Sequence, residues 1–391
     1  MVDVCFYFEV HQPVRLKRLS VFDEVKKPIE SYFDWEKNRE IFLKVAEKCY
    51  YPATHMFLEL LDEYKELKLS FSLSGTFIEQ AKRFAPDVLD LFRDLVKTGR
   101  VELLCETYYH SLCGLWEKQD EFKEQLELHR KTMEELFNVR PRVVRNTELI
   151  YDNRIARSVA DLGFDAIITE GIEKILGWRS SNFLYSSEDE RLRVLLKNYR
   201  LSDDIAFRFS NASWNEYPLT AEKYAGWIAK APGDYVGLFM DYETFGEHQW
   251  KETGVFDFMR ALPEQLLSRG VNFLSPKEVA SYAPREPLDV PLAISWADVE
   301  RDVSAWLDNE MQHECFNEIR DLEEAIKRKG DEELLHVWRL LQTSDNLYYI
   351  SLKTLSDAEV HAYFSPYDSP YRAFMNYMNA IQDLKRRVMQ P

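Results

Sequence analysis

Two rhythms of apolar and polar positions alternate from the amino terminus to residue 283. The first is a short, nearly continuous apolar run rich in β-formers. It recurs at Val4 to Val10, Leu69 to Leu73, Val101 to Cys105, Val143 to Glu148, Ala166 to Thr169, Leu192 to Tyr199 and Tyr235 to Asp241. Runs of this length bounded by turn residues predict buried strands. The second rhythm spaces apolar residues by three and four. Phe42, Val45, Ala46 and Cys49, then Phe57, Leu60, Leu61 and Tyr64, mark helix between Ile41 and Leu67. Phe77 to Lys97 predicts helix with a break at Pro86 and an end at Gly99. Lys118 to Phe137 carries Phe122, Leu126, His129, Met133 and Leu136 on one stripe. Asp152 is placed to cap a helix through Leu162, and Val255 to Ser268 predicts another. Trp178 to Glu190 reads as loop, and Asn272 to Leu274 as a last short strand. Strands alternating with helices imply a mainly parallel sheet, closed or nearly closed as a barrel.

The rhythm changes at Pro284-Arg285-Glu286-Pro287. Beyond it the pattern is helical over Val299 to Lys329, Asp331 to Ser344 and Ser369 to Met389. The expected organisation is a barrel over 1–283, a linker over 284–295 and a helical bundle over 296–391 packed on the barrel.

Three predicted strands end in acid: Glu106 follows the third, Glu148 the fourth and Asp241 the seventh. His11 and Gln12 follow the first. Barrel enzymes gather their chemistry at the carboxyl ends of the strands, so these side chains converge on one face. Two carboxylates there suit acid–base work, one ionised and one protonated. In a retaining glycosidase the pair is about 5–5.5 Å apart. Each residue also has a plain structural reading. Asp241 can cap a helix, Glu106 can bind a loop, and Glu148 can pair with Arg145 or Arg154. Glu243 competes with Asp241, because residues two apart on a strand share a face. His11 has a structural reading too. His110, His129, His248 and His313 form neither HxxxH nor HExxH, so zinc is not indicated.

Composition narrows the function classes. A formal net charge of -17 repels a phosphate backbone and argues against nucleic acid as partner. No apolar window is long enough for a membrane helix, and Met1-Val2-Asp3-Val4 lacks a basic leader, so the expectation is a cytoplasmic protein without membrane association. The 5 cysteines have no CxxC spacing and read as reduced core residues. Aromatics make up 14% of the chain, with 9 Trp and 21 Tyr, which suits sugar rings and a large core equally. Charged residues at 30% fit a thermophilic source. Oligomeric state is not encoded in any of this.

Taken together, the motifs resemble glycoside hydrolase family 57. His11-Gln12-Pro13 resembles that family's opening motif, and Glu102 to His110 its second region. Arg145-Asn146-Thr147-Glu148 and Met240-Asp241-Tyr242-Glu243-Thr244-Phe245-Gly246 resemble the third and fourth. Trp296-Ala297-Asp298-Val299-Glu300-Arg301-Asp302 with Trp306 resembles the fifth, and Tyr363 to Asn379 is similar to the α-amylase branch. The resemblance implies an incomplete seven-stranded (β/α) barrel followed by a C-terminal helical bundle. It implies retaining cleavage of α-1,4-glucans such as starch, glycogen and maltooligosaccharides, without a cofactor. Glu148 would be the nucleophile and Asp241 the general acid/base. His11 and Glu106 would hydrogen-bond sugar hydroxyls, Glu243 would support Asp241, and Asp302 would serve the cleft. Trp296 and Trp306, with Tyr108 or Tyr109, would supply stacking faces. His248 precedes Trp250 on the loop after the acid/base, where some family members carry their tryptophan earlier, so Trp250 is a weaker match. A 4-α-glucanotransferase, a non-catalytic glucan-binding protein and a metal-dependent enzyme on a related barrel are the competing readings.

Overall fold

The computed structural model describes residues 2–353 and 365–389. Among the described residues nine strands occur in chain order: β1 (Asp3–Val10), β2 (Leu69–Leu73), β3 (Val101–Leu103), β4 (Val143–Arg145), β5 (Ala166–Glu170), β6 (Tyr185–Ser187), β7 (Arg193–Lys197), β8 (Tyr235–Asp241) and β9 (Pro287–Leu288). β1 lies in the middle of one sheet, parallel to β2 on one side and to β8 on the other, and β3 extends it beyond β2. A second sheet runs β4-β5-β7-β6-β9. Cys105, just past β3, joins the two sheets: its N–H donates to Val143 O at 2.9 Å, and Arg145 N–H donates to Cys105 O at 2.7 Å. On the far side β7 and β8 meet without a ladder among the described residues. Asn198 N–H reaches Gly237 O at 2.8 Å there. Seven parallel strands, β1-β2-β3-β4-β5-β7-β8, thus form the incomplete barrel that the sequence implied.

The strands form where apolar runs can be buried on both faces. β1 is buried from Val4 to Val10, and Phe6 and Phe8 pack into an aromatic cluster with Phe57, Phe71, Tyr242 and Phe245. Such parallel strands need cover from helices on the outside. Gly75–Phe84 and Pro86–Lys97 supply it after β2, split where Pro86 was expected to break them. Asp152 caps Asn153–Asp161 by accepting from Ile155 N–H at 2.7 Å.

One irregular helix shapes the site. Trp35–Val45 continues through a π-helical turn at Ala46–Tyr50 into Tyr51–Glu63. Pro52 has no N–H for the carbonyl of Lys48 four residues earlier, so the regular ladder cannot pass through. The turn aims Cys49 Sγ at Tyr242 O, 3.2 Å away, and Tyr50 at Glu243. Gly246, with φ 112°, passes directly over the freed carbonyl, where any Cβ would lie 1.9 Å from Lys48 O. Glycine is required there by contact as well as by dihedral.

Some local expectations shift. The stretch from Trp178 to Glu190, read as loop, contains β6, antiparallel to β7. Residues 284–295, read as linker, lie along the barrel: β9 pairs with β6, and Ile294 and Tyr151 exchange backbone hydrogen bonds of 3.0 and 3.1 Å. Helices Tyr199–Ala206 and Ala221–Lys230 carried no predicted assignment. In the carboxy-terminal part, helix begins at Glu310 with Asn309 as cap, not at Val299. Glu323–Lys329, Glu332–Leu341 and Pro370–Met389 follow. Tyr363 and Phe364 lie outside the described residues. No helix among the described residues is long and apolar enough to cross a membrane.

Candidate active site

The site lies at the carboxyl ends of the barrel strands. Glu9, one residue before the end of β1, is in register with Asp241 at the end of β8. Arg145 ends β4 and forms a buried ion pair with Glu9. Past Arg145 the chain leaves the strand for a 3-10 turn over Thr147–Leu149, with Glu148 at φ 59° and ψ 24°. A left-handed conformation costs a residue with a Cβ about 1–3 kcal/mol and persists only where its surroundings impose it. Five of the seven non-glycine residues with positive φ among those described lie in the site's loops: His110, Glu148, Leu149, Asp298 and Arg301.

The turn pushes the Glu148 carboxylate into a ring of donors. His110 Nε2 lies 3.3 Å from Oε1, Ser344 Oγ donates to Oε1 at 3.1 Å, and Trp296 Nε1 donates to Oε2 at 2.8 Å. Trp296 N–H also donates to the Glu148 carbonyl at 3.2 Å. Burial pushes the Glu148 carboxyl up, but the hydrogen bond and charge of His110, then Arg145 and the Trp296 bond, outweigh it and hold the group below its ordinary value. Its side chain keeps 19% exposure, enough to meet a substrate.

His110 is the hub. Its Nδ1 lies 3.1 Å from Glu106 Oε2 and 3.3 Å from Glu9 Oε1, while Nε2 faces Glu148. Burial alone would lower its pKa; Glu9, Glu106 and Glu148 together raise it to about 10. His110 is therefore an imidazolium at neutral pH. It stacks on His11 with ring centroids 3.7 Å apart. His11, buried beside that cation, is pushed down and stays neutral. Its Nδ1 is 2.8 Å from Ser74 Oγ and its Nε2 3.0 Å from Asp345 Oδ2.

The raised value makes a pH prediction. A basic group with a higher pKa in the folded than in the unfolded state stabilises the fold below its unfolded value, and that contribution fades as pH rises through the folded value. For His110 the window runs from 6.5 to about 10. Glu243, raised to about 8, titrates out at the lower end of that window. Thermal melts are expected to fall between pH 8 and 10, and His110→Gln should flatten that slope. An unchanged slope in the variant would remove His110 as its source.

Glu9, Glu106 and His110 place one donor each within 4.8 Å of one another, a spacing that a metal ion could use. The Arg145 guanidinium and the His110 imidazolium already supply positive charge to these carboxylates. Glu9 Oε1 and Glu106 Oε1 are nonetheless buried without a hydrogen-bond partner among the described residues.

The other expected residues divide. Glu106 is fully buried and pairs with His110. Glu243 does not share a face with Asp241, because the strand ends at Asp241 and Tyr242–Thr244 is a 3-10 turn. Its carboxyl accepts from Tyr50 OH at 2.6 Å. Tyr108 is buried with its ring over Gly75 and its hydroxyl 3.1 Å from Glu79, and Tyr109 binds His336 at 2.9 Å. Both residues are buried, at 8% and 5% exposure. Trp306 is buried against Tyr348, so it serves the helical core and offers no stacking face. Asp302 turns back to accept from Ser304 N–H at 2.9 Å. Trp250 is 59% exposed beside Lys48. Arg154 pairs with Asp152, and Arg145 with Glu9, so the alternative pairings of Glu148 do not form.

Sequence reasoning missed Glu9, Arg145, His110, Ser344 and Asp345. Two of these carried a signal. An acid within Phe-Tyr-Phe-Glu-Val and an arginine within Val-Val-Arg-Asn are opposite charges in buried strands, and buried charges need partners.

The family model described as glycosyl hydrolase family 57 matches residues 5–291. The chain belongs to that family. A Methanocaldococcus jannaschii protein, provisionally named an alpha-amylase, is 51% identical over 99% of this chain and 85% of its own. Among solved structures, a family 57 branching enzyme of Thermococcus kodakaraensis superposes with a TM-score of 0.73 at 13% identity, covering 98% of this chain and 90% of that one. A 4-alpha-glucanotransferase of Thermococcus litoralis gives 0.62 at 18% identity, covering 100% of this chain and 60% of its own. These two structural likenesses establish the fold. Amylase, branching enzyme and transferase share it, so the fold alone does not select the acceptor.

Proposed function

We propose that this family 57 protein cleaves α-1,4-glucans with retention of configuration, as an α-amylase. The observation that carries the reading is Glu148: a carboxylate in a left-handed turn at the barrel mouth, kept ionised by three side-chain donors. Asp241 ends the strand that pairs with β1, in register with Glu9. In the proposed first step a Glu148 oxygen bonds the anomeric carbon as the glycosidic bond breaks. Asp241 gives its proton to the leaving oxygen. In the second step water gives its proton to Asp241 and its oxygen to the anomeric carbon, which releases Glu148. His110 and Arg145 supply the positive field that favours the ionised nucleophile. No cofactor takes part in this scheme. The helical part, 296–391, and the barrel, 1–283, act as one catalytic unit, since Ser344 and Trp296 both hold Glu148.

Product analysis on soluble starch and on maltooligosaccharides of defined length tests the reading. Shorter sugars alone are expected. Longer products appearing beside them would assign a 4-α-glucanotransferase instead. Binding without any new reducing ends would make the chain a non-catalytic glucan-binding protein.

A further inference from the structure

Glu170 ends β5 in acid, as Asp241 ends β8, yet it takes no part in the scheme above. It is fully buried, with Lys197 Nζ 3.5 Å away and Arg301 Nη1 2.6 Å away. Asp203 completes the group, 3.3 Å from Lys197 and 3.2 Å from Arg301 Nη2. Two acids and two bases balance in charge. Lys197 and Asp203 belong to β7 and the helix that follows it. Arg301 comes from the far side of the chain, in the loop that carries Trp296.

We infer that Arg301, anchored by Glu170 and Asp203, is a positioning residue that clamps residues 295–302 to the ends of β5 and β7 and thereby holds the Trp296 indole against Glu148. The inference rests on Glu148 as nucleophile. The loop is closed on itself: Ser295 N–H donates to Arg301 O at 3.1 Å, and Ser295 Oγ to Asp302 O at 2.5 Å. Moving Arg301 therefore moves residue 295 and its neighbour Trp296. Two residues in the loop have positive φ, 53° at Asp298 and 50° at Arg301, a conformation that outside contacts must hold. Those contacts are the Arg301 pairs on one side and Lys353, 2.8 Å from both Asp298 and Glu300, on the other. The same network touches the indole directly. Lys197 Nζ lies 5.1 Å from the Trp296 ring and Arg145 lies 5.0 Å from it, so the ring is bracketed by two cations. What results is a fixed donor, Nε1, at 2.8 Å from Glu148 Oε2.

The test is Arg301→Met, with Arg301→Lys as the conservative variant and Glu148→Gln as control. In Arg301→Met, Lys197 remains to pair both carboxylates, so the fold is expected to survive. Turnover should fall about 10- to 100-fold with KM little changed, the scale on which a small misplacement acts at a reacting centre. The acid limb of kcat/KM should move to higher pH, because Glu148 loses a donor to its ionised form. The other groups facing Glu148 stay in place: His110 after β3, Arg145 on β4, Glu9 and Glu106 behind them, and neutral Ser344. Arg301→Lys keeps the charge but serves one carboxylate, and should rank between wild type and Arg301→Met. If Arg301→Met does not fold, the double variant Arg301→Met/Glu170→Gln removes both charges and is read the same way. An unmoved acid limb, an unchanged kcat, or a lysine variant no better than methionine would each overturn the clamp. Turnover retained in Glu148→Gln would instead overturn the reading of the site on which the clamp depends.

Discussion

Glu148→Gln is expected to lose on the order of 10⁴-fold or more of turnover, the scale on which removing a covalent nucleophile acts in other enzymes. The amide matches the carboxylate in size: with its oxygen in the Oε2 position it still accepts from Trp296 Nε1–H, 2.8 Å away in the native site, and its NH2 can donate to Ser344 Oγ, 3.1 Å from Oε1. The fold should therefore survive. What disappears is the charge that attacks the anomeric carbon. His110 is left facing a neutral group, so its raised pKa should drop, and the alkaline fall in stability should end at lower pH and be smaller. A truncated variant, Glu148→Gly, opens the space of the carboxylate. Azide should then restore turnover by attacking from the face that Glu148 used, giving a glycosyl azide of inverted configuration. A Glu148→Gln protein with near-native rates would take the residue out of the mechanism. Rescue that yields a retained azide product would move the nucleophile elsewhere.

The parts of the fold that could be read in sequence are those where burial demands a continuous apolar run. β1, β2, β5 and β8 fall at the predicted places because nothing but a covered parallel sheet hides such runs. The strand ends were legible for the same reason: the first acid after a run marks where cover stops, which picked out Glu148 and Asp241. The rest depended on distance in space. Ser344 ends a stretch that reads only as helix and Asp345 follows it, yet they meet Glu148 and His11 from 196 and 334 residues away. His110 looked like a lone histidine because two of its three acidic partners, Glu9 and Glu148, come from other strands, and only Glu106 lies nearby in the chain. The aromatics misled in the opposite sense. Tyr108, Tyr109 and Trp306 sit in motifs that resemble the family's, but their rings fill the core, and motif position does not report which way a side chain points. Trp296 is used, but its contact is an indole N–H on a carboxylate.

Asp241→Asn should separate the two halves of the reaction. With starch or maltooligosaccharides the leaving oxygen is a poor leaving group and needs a proton, so turnover should fall about 10²- to 10⁴-fold, the range of a lost general acid–base. A nitrophenyl maltooligoside leaves without that help. Its first step should proceed, and nitrophenol should appear in a burst that matches the enzyme concentration. The second step then stalls, because water needs a base to lose its proton and the substituted amide offers none. Azide needs no deprotonation, so adding it should release the glycosyl-enzyme and speed the steady state. The position of Asp241 makes this separation clean. It lies across Glu9 from the His110 and Arg145 charges that sustain Glu148, so its loss leaves the nucleophile's own donors untouched. Equal losses on both substrates, with no burst, would mean that Asp241 acts on binding or on Glu148 itself. The proton donor would then have to be sought in Glu243, whose carboxyl is raised to about 8 by burial but engaged by Tyr50.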